Sequence, residues 1–264
     1  RCPMFHPSFD LVTYPWGRAL QCRTLPPAAR HLFATRDLDV RAESPGGEAA
    51  WRAVASTIGV EPSRLLRARQ VHGCDVLTVR RGEDAALTGP QPVADIVVSD
   101  DPDVAVTVRV ADCAPVLIAD ARTGAVAAVH AGWRGTALGA ARAGVEALAR
   151  AFGSRPADLY AAVGPCIGPD AYEVGEDVRA AFVAEGHDGA CLARWFTPGP
   201  RGRLHLDVWR ANTDQLVDAG VPVAQVACAC ACTRSHPAWF FSHRGEGAGA
   251  GRMVAAIRPF PSGA

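Results

Sequence analysis

The sequence contains no lysine, and the 27 basic residues among its 264 positions are all arginines. A reaction that proceeds through a Schiff base on a lysine side chain is therefore excluded. The formal net charge is zero, because 27 acidic residues balance the arginines. We therefore expect no general electrostatic attraction to nucleic acid or to an anionic membrane surface.

Long apolar runs are also missing. No run approaches the roughly 20 residues that a helix needs to cross a bilayer. The amino-terminal segment contains prolines and aromatic residues but no long apolar stretch of the kind found in a signal peptide. These absences predict a cytoplasmic protein with no membrane partner.

The cysteines lack the signals of a disulfide framework. There are nine of them, an odd number, with no C-x-x-C pair, and disulfide frameworks are typical of small secreted domains, so we expect reduced thiols. Cys228, Cys230 and Cys232 alternate along a predicted strand and would share one face. A metal cluster is conceivable there, but a buried strand of small residues is favoured because free cysteine behaves as a small hydrophobe.

Short apolar runs are concentrated between residues 104 and 135. Runs bounded by Asp, Pro, Gly or Thr are typical of buried strands, and they predict strands at Val104–Val110, Val116–Ala119 and Ala125–His130. Further strands are predicted at Leu11–Leu20, Leu32–Thr35, Arg64–Gln70, Cys74–Arg80, Asp95–Ser99, Leu159–Val163, Gln225–Cys232, Trp239–Ser242 and Arg252–Arg258. Helical spacing of apolar residues predicts helices at Glu48–Ile58, Thr136–Phe152, Glu176–Glu185 and Asp207–Ala219.

The order of these elements predicts a single mixed α/β domain over residues 1–264. No internal repeat and no long linker divides the sequence. Strands occur in clusters as well as in alternation with helices, which argues against a purely parallel doubly wound sheet.

Three metal-ligating side chains stand at the ends of predicted strands: His72, Cys113 and His130. Two imidazoles and a thiolate can hold a catalytic zinc ion, which keeps one position open for water or substrate. The rival interpretation is a hydrolase in which Cys113 is the nucleophile and His130 the base, with Asp112 as the residue that could orient the imidazole. Copper is less favoured, because blue-copper sites normally add an axial methionine and the only methionines are Met4 and Met253.

The motifs around these three residues resemble the YfiH-type family, which is also called the laccase-domain or multicopper polyphenol oxidase family. The resemblance lies in Q-V-H-G (70–73), A-D-C-A-P-V-L-I-A-D (111–120) and V-H-A-G-W-R-G-T (129–136). It extends to G-P-C-I-G (164–168), H-L-D-V-W-R-A-N (205–212) and F-F-S-H-R (240–244). The match runs from about Thr35 to Met253.

This resemblance implies a layered α/β/β/α fold with mixed sheets and one zinc ion per chain, held by His72, Cys113 and His130. It also implies action on purine nucleosides, namely phosphorolysis of adenosine, inosine and methylthioadenosine, and deamination of adenosine. The sequence departs from the family at S-H-R-G-E-G (242–247), where S-Y-R-R-D-G is usual, so His243 stands in place of the family tyrosine.

Arginine is the expected phosphate ligand, because its planar guanidinium binds oxyanions through two parallel hydrogen bonds. The candidates are Arg36, Arg134 and Arg244, each next to a matched motif. Asp112 is expected to support the metal ligands, and Cys166 is expected to be structural. Other functions stay open: amidase-like editing of peptidoglycan precursors at the same Cys/His site, polyphenol oxidation, and a binding role without catalysis.

Overall fold

Strands and helices alternate irregularly along the chain in the computed structural model, which describes residues 5–41, 43–44, 46–83 and 88–261. The described strands are β1 (Phe9–Tyr14), β2 (Gly17–Cys22), β3 (His31–Ala34), β4 (Leu65–Arg67), β5 (Val76–Val79), β6 (Ile96–Ser99), β7 (Ala105–Val110), β8 (Ala114–Asp120), β9 (Val126–Ala131), β10 (Leu159–Val163), β11 (Glu173–Val174), β12 (Phe196–Pro198), β13 (Leu204–Leu206), β14 (Val226–Cys228) and β15 (Met253–Ile257). The described helices are α1 (Gly47–Ile58), α2 (Trp133–Ala137), α3 (Ala140–Phe152), α4 (Glu176–Ala184), α5 (Gly189–Trp195), α6 (Val208–Asp218) and α7 (His243–Glu246).

Most of these strands belong to two six-stranded sheets. The first sheet has the order β1-β2-β3-β15-β7-β4, and the second has the order β14-β10-β8-β9-β6-β5. Both are mixed. Most pairs are antiparallel, but β4 runs parallel to β7, β5 to β6 and β14 to β10. The predicted mixed sheets are therefore confirmed. A small antiparallel sheet, β11-β13-β12, lies apart from them.

Three apolar cores define the layers. Because successive side chains of a strand point to opposite faces, Val106 and Val108 of the first sheet meet Leu117 and Ala128 of the second in a core between the sheets. On the outer face of the second sheet, Val116, Ile118 and Val129 pack with residues of α3 and α6. On the outer face of the first sheet, Ala105 and Val254 pack with α1. The order of layers is α/β/β/α, as predicted.

The predicted strands and helices are confirmed through most of the chain, with three local differences. The strand expected at Leu11–Leu20 is a hairpin of β1 and β2, whose turn ends at Gly17 with a φ of +136°. The helix expected at Thr136–Phe152 is divided into α2 and α3 at Gly139, which has a φ of +82°. The strand expected to reach Cys232 ends at Cys228, because Cys230 adopts a left-handed conformation with a φ of +49°.

The strand expected at Trp239–Ser242 is wrong. This segment forms turns that lead into α7, and Ser242 caps that helix by accepting a hydrogen bond from the backbone N–H of Gly245. Phe240 is buried in the core between the sheets, so the apolar composition of the segment reflects packing without strand pairing.

Some expectations fall partly outside the described residues. Residues 84–87, and also Cys2 and Met4, lie outside the described residues, and the single domain over residues 1–264 stays a prediction. The described cysteines are all free. Among the described helices, none has the length and the hydropathy that crossing a lipid bilayer would require.

Gly124, in the turn between β8 and β9, offers a test of this packing. Its φ is +77°, and an added Cβ would lie 1.8 Å from the backbone oxygen of Phe260. Gly153 has a similar φ of +65° but nothing within 4 Å of an added Cβ. We expect Gly153→Ala to lower the free energy of unfolding by about 1 kcal/mol through backbone strain alone. Gly124→Ala should lower it by about 3 kcal/mol, because overpacking adds to the strain.

Urea denaturation of the two variants and the wild-type protein measures both losses. Equal destabilisation by the two substitutions would contradict the close packing of the turn against Phe260.

Candidate metal centre

The three predicted ligands come from three separate segments. His130 lies in β9, which is buried along its whole length. Cys113 directly precedes β8, and His72 lies in the loop between β4 and β5. His72 and Asp112 have left-handed φ values of 64° and 87°, which are uncommon for residues with a Cβ and persist where surrounding contacts hold them. His72 and Cys113, which lie next to His130 in space, are thus presented by loops with an unusual left-handed residue.

These segments bring His72, Cys113 and His130 together. Their ligand atoms all lie within 4.8 Å of one another, and the two imidazole rings meet edge to face with centroids 4.9 Å apart. Gly132 packs directly against the group, since an added Cβ would lie 3.0 Å from both the Cys113 Sγ and the His72 Cδ2. Two imidazoles and a thiol at this spacing form a set that could hold a metal ion.

Asp95 organises the site, although it was not among the residues predicted from the sequence. Its side chain is fully buried, and its Oδ1 lies 2.7 Å from His130 Nδ1. It also accepts hydrogen bonds from the backbone N–H groups of Val71, His72 and Gly73. One carboxylate therefore orients the buried imidazole and fixes the loop that carries the other one. A single acidic residue entering an apolar strand, as in Val-Ala-Asp-Ile, was the available signal.

The electrostatics favour a thiolate next to an imidazolium. Burial raises the pKa of the Cys113 thiol, but the charge and hydrogen bond of His130, with His72, outweigh burial and lower that pKa to about 6. Burial disfavours the charged form of His130, yet the Cys113 thiolate and Asp95 raise its pKa to about 9. The pKa of Asp95 is held well below its ordinary value, because the donors from His130, Gly73 and Val71 outweigh its burial. The thiolate form is the one that ligates metals.

Asp112 has a different role from the one expected. Its Oδ1 accepts a hydrogen bond from the Thr233 hydroxyl at 2.5 Å, and its Oδ2 accepts one from the Arg244 backbone N–H at 2.6 Å. Neither of these hydrogen bonds involves an imidazole. The bond to the Arg244 backbone N–H instead fixes the loop that carries Arg244. Asp95, and not Asp112, is the carboxylate that orients an imidazole of the site.

The ligand set opens into a cavity of about 840 Å³. Arg134 and Arg244, two of the three predicted phosphate ligands, line it together with His243 and Tyr172. Arg134 stacks on Trp133 with its guanidinium carbon 4.3 Å from the ring centroid. Arg244 lies 5.2 Å from the centroid of Tyr172.

The third candidate, Arg36, is not part of this cavity wall. Its guanidinium donates to the backbone oxygen of Pro237, pairs with Glu246 at 3.4 Å and lies over the ring of Phe241. These contacts attach Arg36 to α7 and to the segment that directly precedes it. The structure therefore gives Arg36 partners within the protein itself.

The other candidate ligands lie away from this site. Met253 is buried in the core between the sheets, where it offers no axial ligand to the three residues. Cys166 is fully buried, and the nearby Cys232 Sγ accepts a hydrogen bond from the Gly168 backbone N–H. In the part of the chain that the structure describes, the three cysteines at 228, 230 and 232 form no group of three potential ligands.

The fold and the site together define a class of protein: a layered α/β/β/α protein with a His/Cys/His ligand set in an arginine-lined cavity. Residues 40–259 match the family model described as multi-copper polyphenol oxidoreductase laccase. The chain belongs to this laccase-domain family, as its motifs predicted.

The chain is similar in sequence to several named bacterial or prokaryotic proteins. A purine nucleoside phosphorylase of Deinococcus radiodurans is 37% identical over 243 residues, which cover 87% of this chain and 89% of that protein. An adenosine deaminase, RL5, from an unknown prokaryotic organism is 35% identical over 77% of this chain and 78% of that protein. The match to a purine nucleoside phosphorylase of Bacteroides thetaiotaomicron, 37% identical, spans 62% of this chain and only 60% of that protein.

The fold is also shared with a solved structure. The crystal structure of the hypothetical protein YfiH of Bacillus licheniformis superimposes with a TM-score of 0.85 and 26% sequence identity. The superposition covers 96% of this chain and 100% of the YfiH chain. The layered arrangement described above is therefore that of a YfiH structure.

The role of Asp95 can be tested with a matched pair of variants. Asp95→Asn should weaken zinc binding about 10- to 100-fold, because partners that orient a ligating imidazole contribute that much to affinity. Asp112→Asn should leave zinc affinity unchanged, since Asp112 holds Thr233 and Arg244 instead of an imidazole. Competition between each protein and a coloured chelator for added zinc measures the affinities. Equal zinc affinity in both variants would contradict the assignment.

Proposed function

We propose that this chain is a zinc-dependent purine nucleoside phosphorylase that also deaminates adenosine. The observation that carries the proposal is the convergence of His72, Cys113 and His130, within 4.8 Å of one another, on a cavity whose wall includes Arg134 and Arg244. Relatives named purine nucleoside phosphorylase and adenosine deaminase support this substrate class. The cavity volume lies in the range usual for small-molecule sites.

The donor chemistry fits zinc better than copper. A thiolate and two imidazoles are ligands that zinc accepts readily, and three protein ligands leave the open position that catalytic zinc sites require. In the neutral imidazole that a metal requires, Asp95 would still accept from Nδ1 of His130, so Nε2 would be the ligating nitrogen. Zinc bound there would supply a Lewis acid and a water of lowered pKa. His72, Cys113 and His130 would hold it.

Phosphorolysis requires that phosphate be held beside the ribose of the nucleoside. A phosphate oxygen forms a bond to C1′ while the bond from C1′ to the purine nitrogen breaks, giving ribose 1-phosphate and the free base. Arg134 is suited to bind the phosphate, because among the described residues its guanidinium has a ring contact but no hydrogen bond or ion pair. Arg244 is held more firmly, since it also donates to the backbone oxygen of Glu173.

His243 is the candidate for handling protons. It lines the same cavity and stands at the first position of α7, next to Arg244. An imidazole there can donate a proton to the departing purine, a task for which histidine is the commonest side chain. The same cavity would serve deamination, in which water replaces the amino group of adenosine and ammonia leaves.

One observation favours a second candidate, a thiol hydrolase acting on an amide such as that of a cell-wall precursor. Asp95 accepts from His130 Nδ1, and His130 interacts with the Cys113 thiol. This Cys–His–Asp series is the order found in nucleophilic catalysis. The sequence had offered Asp112 for the third position, but the Asp112 carboxylate binds Thr233 and Arg244 instead. The two candidates differ in whether Cys113 ligates a metal or attacks the substrate.

A single incubation tests the leading proposal. Purified protein with adenosine or inosine and inorganic phosphate should release adenine or hypoxanthine together with ribose 1-phosphate, and chromatography of the products detects them. Adenosine should also yield inosine. Turnover of a muropeptide precursor without turnover of any nucleoside would contradict the proposal and favour the hydrolase.

Chelation and alkylation distinguish the two roles of Cys113. As a zinc ligand, the thiolate should react slowly with iodoacetamide, and removal of zinc should abolish activity and speed alkylation. Elemental analysis of protein purified without added metal should find about one zinc per chain, and Cys113→Ser should lose metal and activity together.

As a nucleophile, Cys113 should alkylate quickly in the untreated protein, and chelation should leave activity unchanged. Cys191 is a suitable control, because it is a partly exposed free thiol outside the cavity wall, so Cys191→Ser should keep both metal and activity. A fully active, zinc-free preparation would overturn the zinc assignment.

A further inference from the structure

A second pair of arginines, Arg109 and Arg252, lines the same cavity. In the antiparallel pairing of β7 with β15, Arg109 lies opposite Val254. Arg252 is two positions before Val254 in the chain, so its side chain belongs to the same face of the sheet. Residues at such diagonal positions are within reach of each other when their side chains are long. The strand register thus places the two arginines diagonally opposite each other, near the end of β7 and just before the start of β15.

Neither guanidinium group is held in a direct ion pair within the described part of the chain. Among the described residues, no carboxylate lies within ion-pairing distance of either guanidinium, and no hydrogen bond involves that of Arg109. Arg252 donates only to the backbone oxygens of Ala250 and Gly251, at 2.7 and 3.0 Å. Burial lowers the pKa of Arg109, the charges of Arg252 and Arg67 lower it further, and the Glu43 carboxylate, which also lines the cavity, partly offsets them. Two like charges in one cavity with no direct ion pair favour the binding of an anion.

Two neighbouring arginines, in contrast, form ion pairs with carboxylates. Arg67, on the adjacent strand β4, pairs with Glu48 at 2.8 Å. Arg41, which also lines the cavity, pairs with Asp39 at 2.7 Å. Arg109 and Arg252 therefore lack the carboxylate partner that each of these two neighbours has.

Arg109 is also connected to the candidate metal centre. Gln70 accepts a hydrogen bond from the Arg109 backbone N–H and donates one to its backbone oxygen, both at 2.8 Å. Gln70 lies two residues before His72, in the loop that Asp95 fixes. The position of the Arg109 backbone is thereby set relative to a proposed zinc ligand.

We propose that Arg109 and Arg252 form a subsite for a phosphoryl group within the cavity. The guanidinium fork binds phosphoryl oxygens through paired, charge-assisted hydrogen bonds. The group could be inorganic phosphate, or the 5′-phosphate of a purine nucleotide whose base and ribose occupy the rest of the cavity. Arg134 and Arg244 are the arginines proposed above to hold the co-substrate phosphate, so a second pair would extend the proposed nucleoside function, on which this inference rests, to ligands with a further phosphoryl group.

Calorimetric titration of the purified, metal-containing protein with inorganic phosphate, inosine and inosine 5′-monophosphate, each ligand alone, tests this subsite. The main variant is Arg109→Met, which removes no hydrogen bond of the guanidinium to the protein and so should fold normally. Arg252→Met is the second variant. Arg67→Met is the matched control, because it removes one charge from the same face of the same sheet outside the cavity wall.

A phosphoryl subsite predicts a 10- to 100-fold weaker Kd for a phosphoryl ligand in Arg109→Met and in Arg252→Met. Inosine binding should change less than about twofold, and Arg67→Met should resemble the wild-type protein. If the wild-type protein binds the nucleotide more tightly than inosine and the variants lose that advantage, the subsite takes the 5′-phosphate. If only free phosphate binding weakens, the subsite takes the co-substrate.

Two results would overturn the subsite. One is unchanged binding, or no binding, of both phosphoryl ligands across the wild-type protein and the two cavity variants. The other is an equal loss in Arg67→Met, which would indicate a general charge effect. Because binding is measured without turnover, failure of the subsite is distinguishable from failure of the proposed phosphorolysis, which the product assay measures separately.

Discussion

The candidate site depends on one buried carboxylate. Asp95 receives the Nδ1 contact of His130 and three backbone N–H groups from Val71 to Gly73. Hydrogen bonds to a charged group contribute about 1.5–3 kcal/mol each, and an unpaired carboxylate in this position would cost far more. The left-handed backbone of His72 is held by the same bonds. Without Asp95, the loop of His72 and the ring of His130 would have no common anchor.

The layered fold explains why three distant segments can meet at this anchor. Asp95 directly precedes β6, which pairs with β9, and β9 pairs with β8. Cys113 and His130 are therefore carried by neighbouring strands of the second sheet, whose two faces are covered by the first sheet and by helices. Strands packed on both faces move little, because core packing is dense. The ligands are thus positioned by a rigid scaffold, and the cavity is completed by more exposed loops.

Charge is distributed unevenly within a chain of zero net charge. Many arginines outside the cavity pair with acids, as Arg18 does with Asp37 and Arg155 with Asp158. Arg109, Arg134 and Arg252 line the cavity without such pairs in the described part of the structure. A cavity that keeps unpaired guanidinium groups beside a thiolate-containing ligand set is suited to small anionic ligands. The positive electrostatic potential of these groups acts only near the cavity, because solvent ions screen it and the protein as a whole carries no net charge.

The sequence by itself determined the strands that run through the core and the three ligating residues. Short apolar runs bounded by turn residues specify buried strands, and the matched motifs singled out His72, Cys113 and His130. The roles of Asp95 and Arg109 were decided only by tertiary structure, because their partners lie 35 residues away at His130 and across the sheet at Arg252. Tertiary structure also decided the partners of Asp112, which are Thr233 and Arg244 and not an imidazole. It likewise decided that Trp239–Ser242 forms turns, although its composition predicted a strand. Local patterns record which residues are buried, whereas pairing between segments depends on strand register and loop conformation.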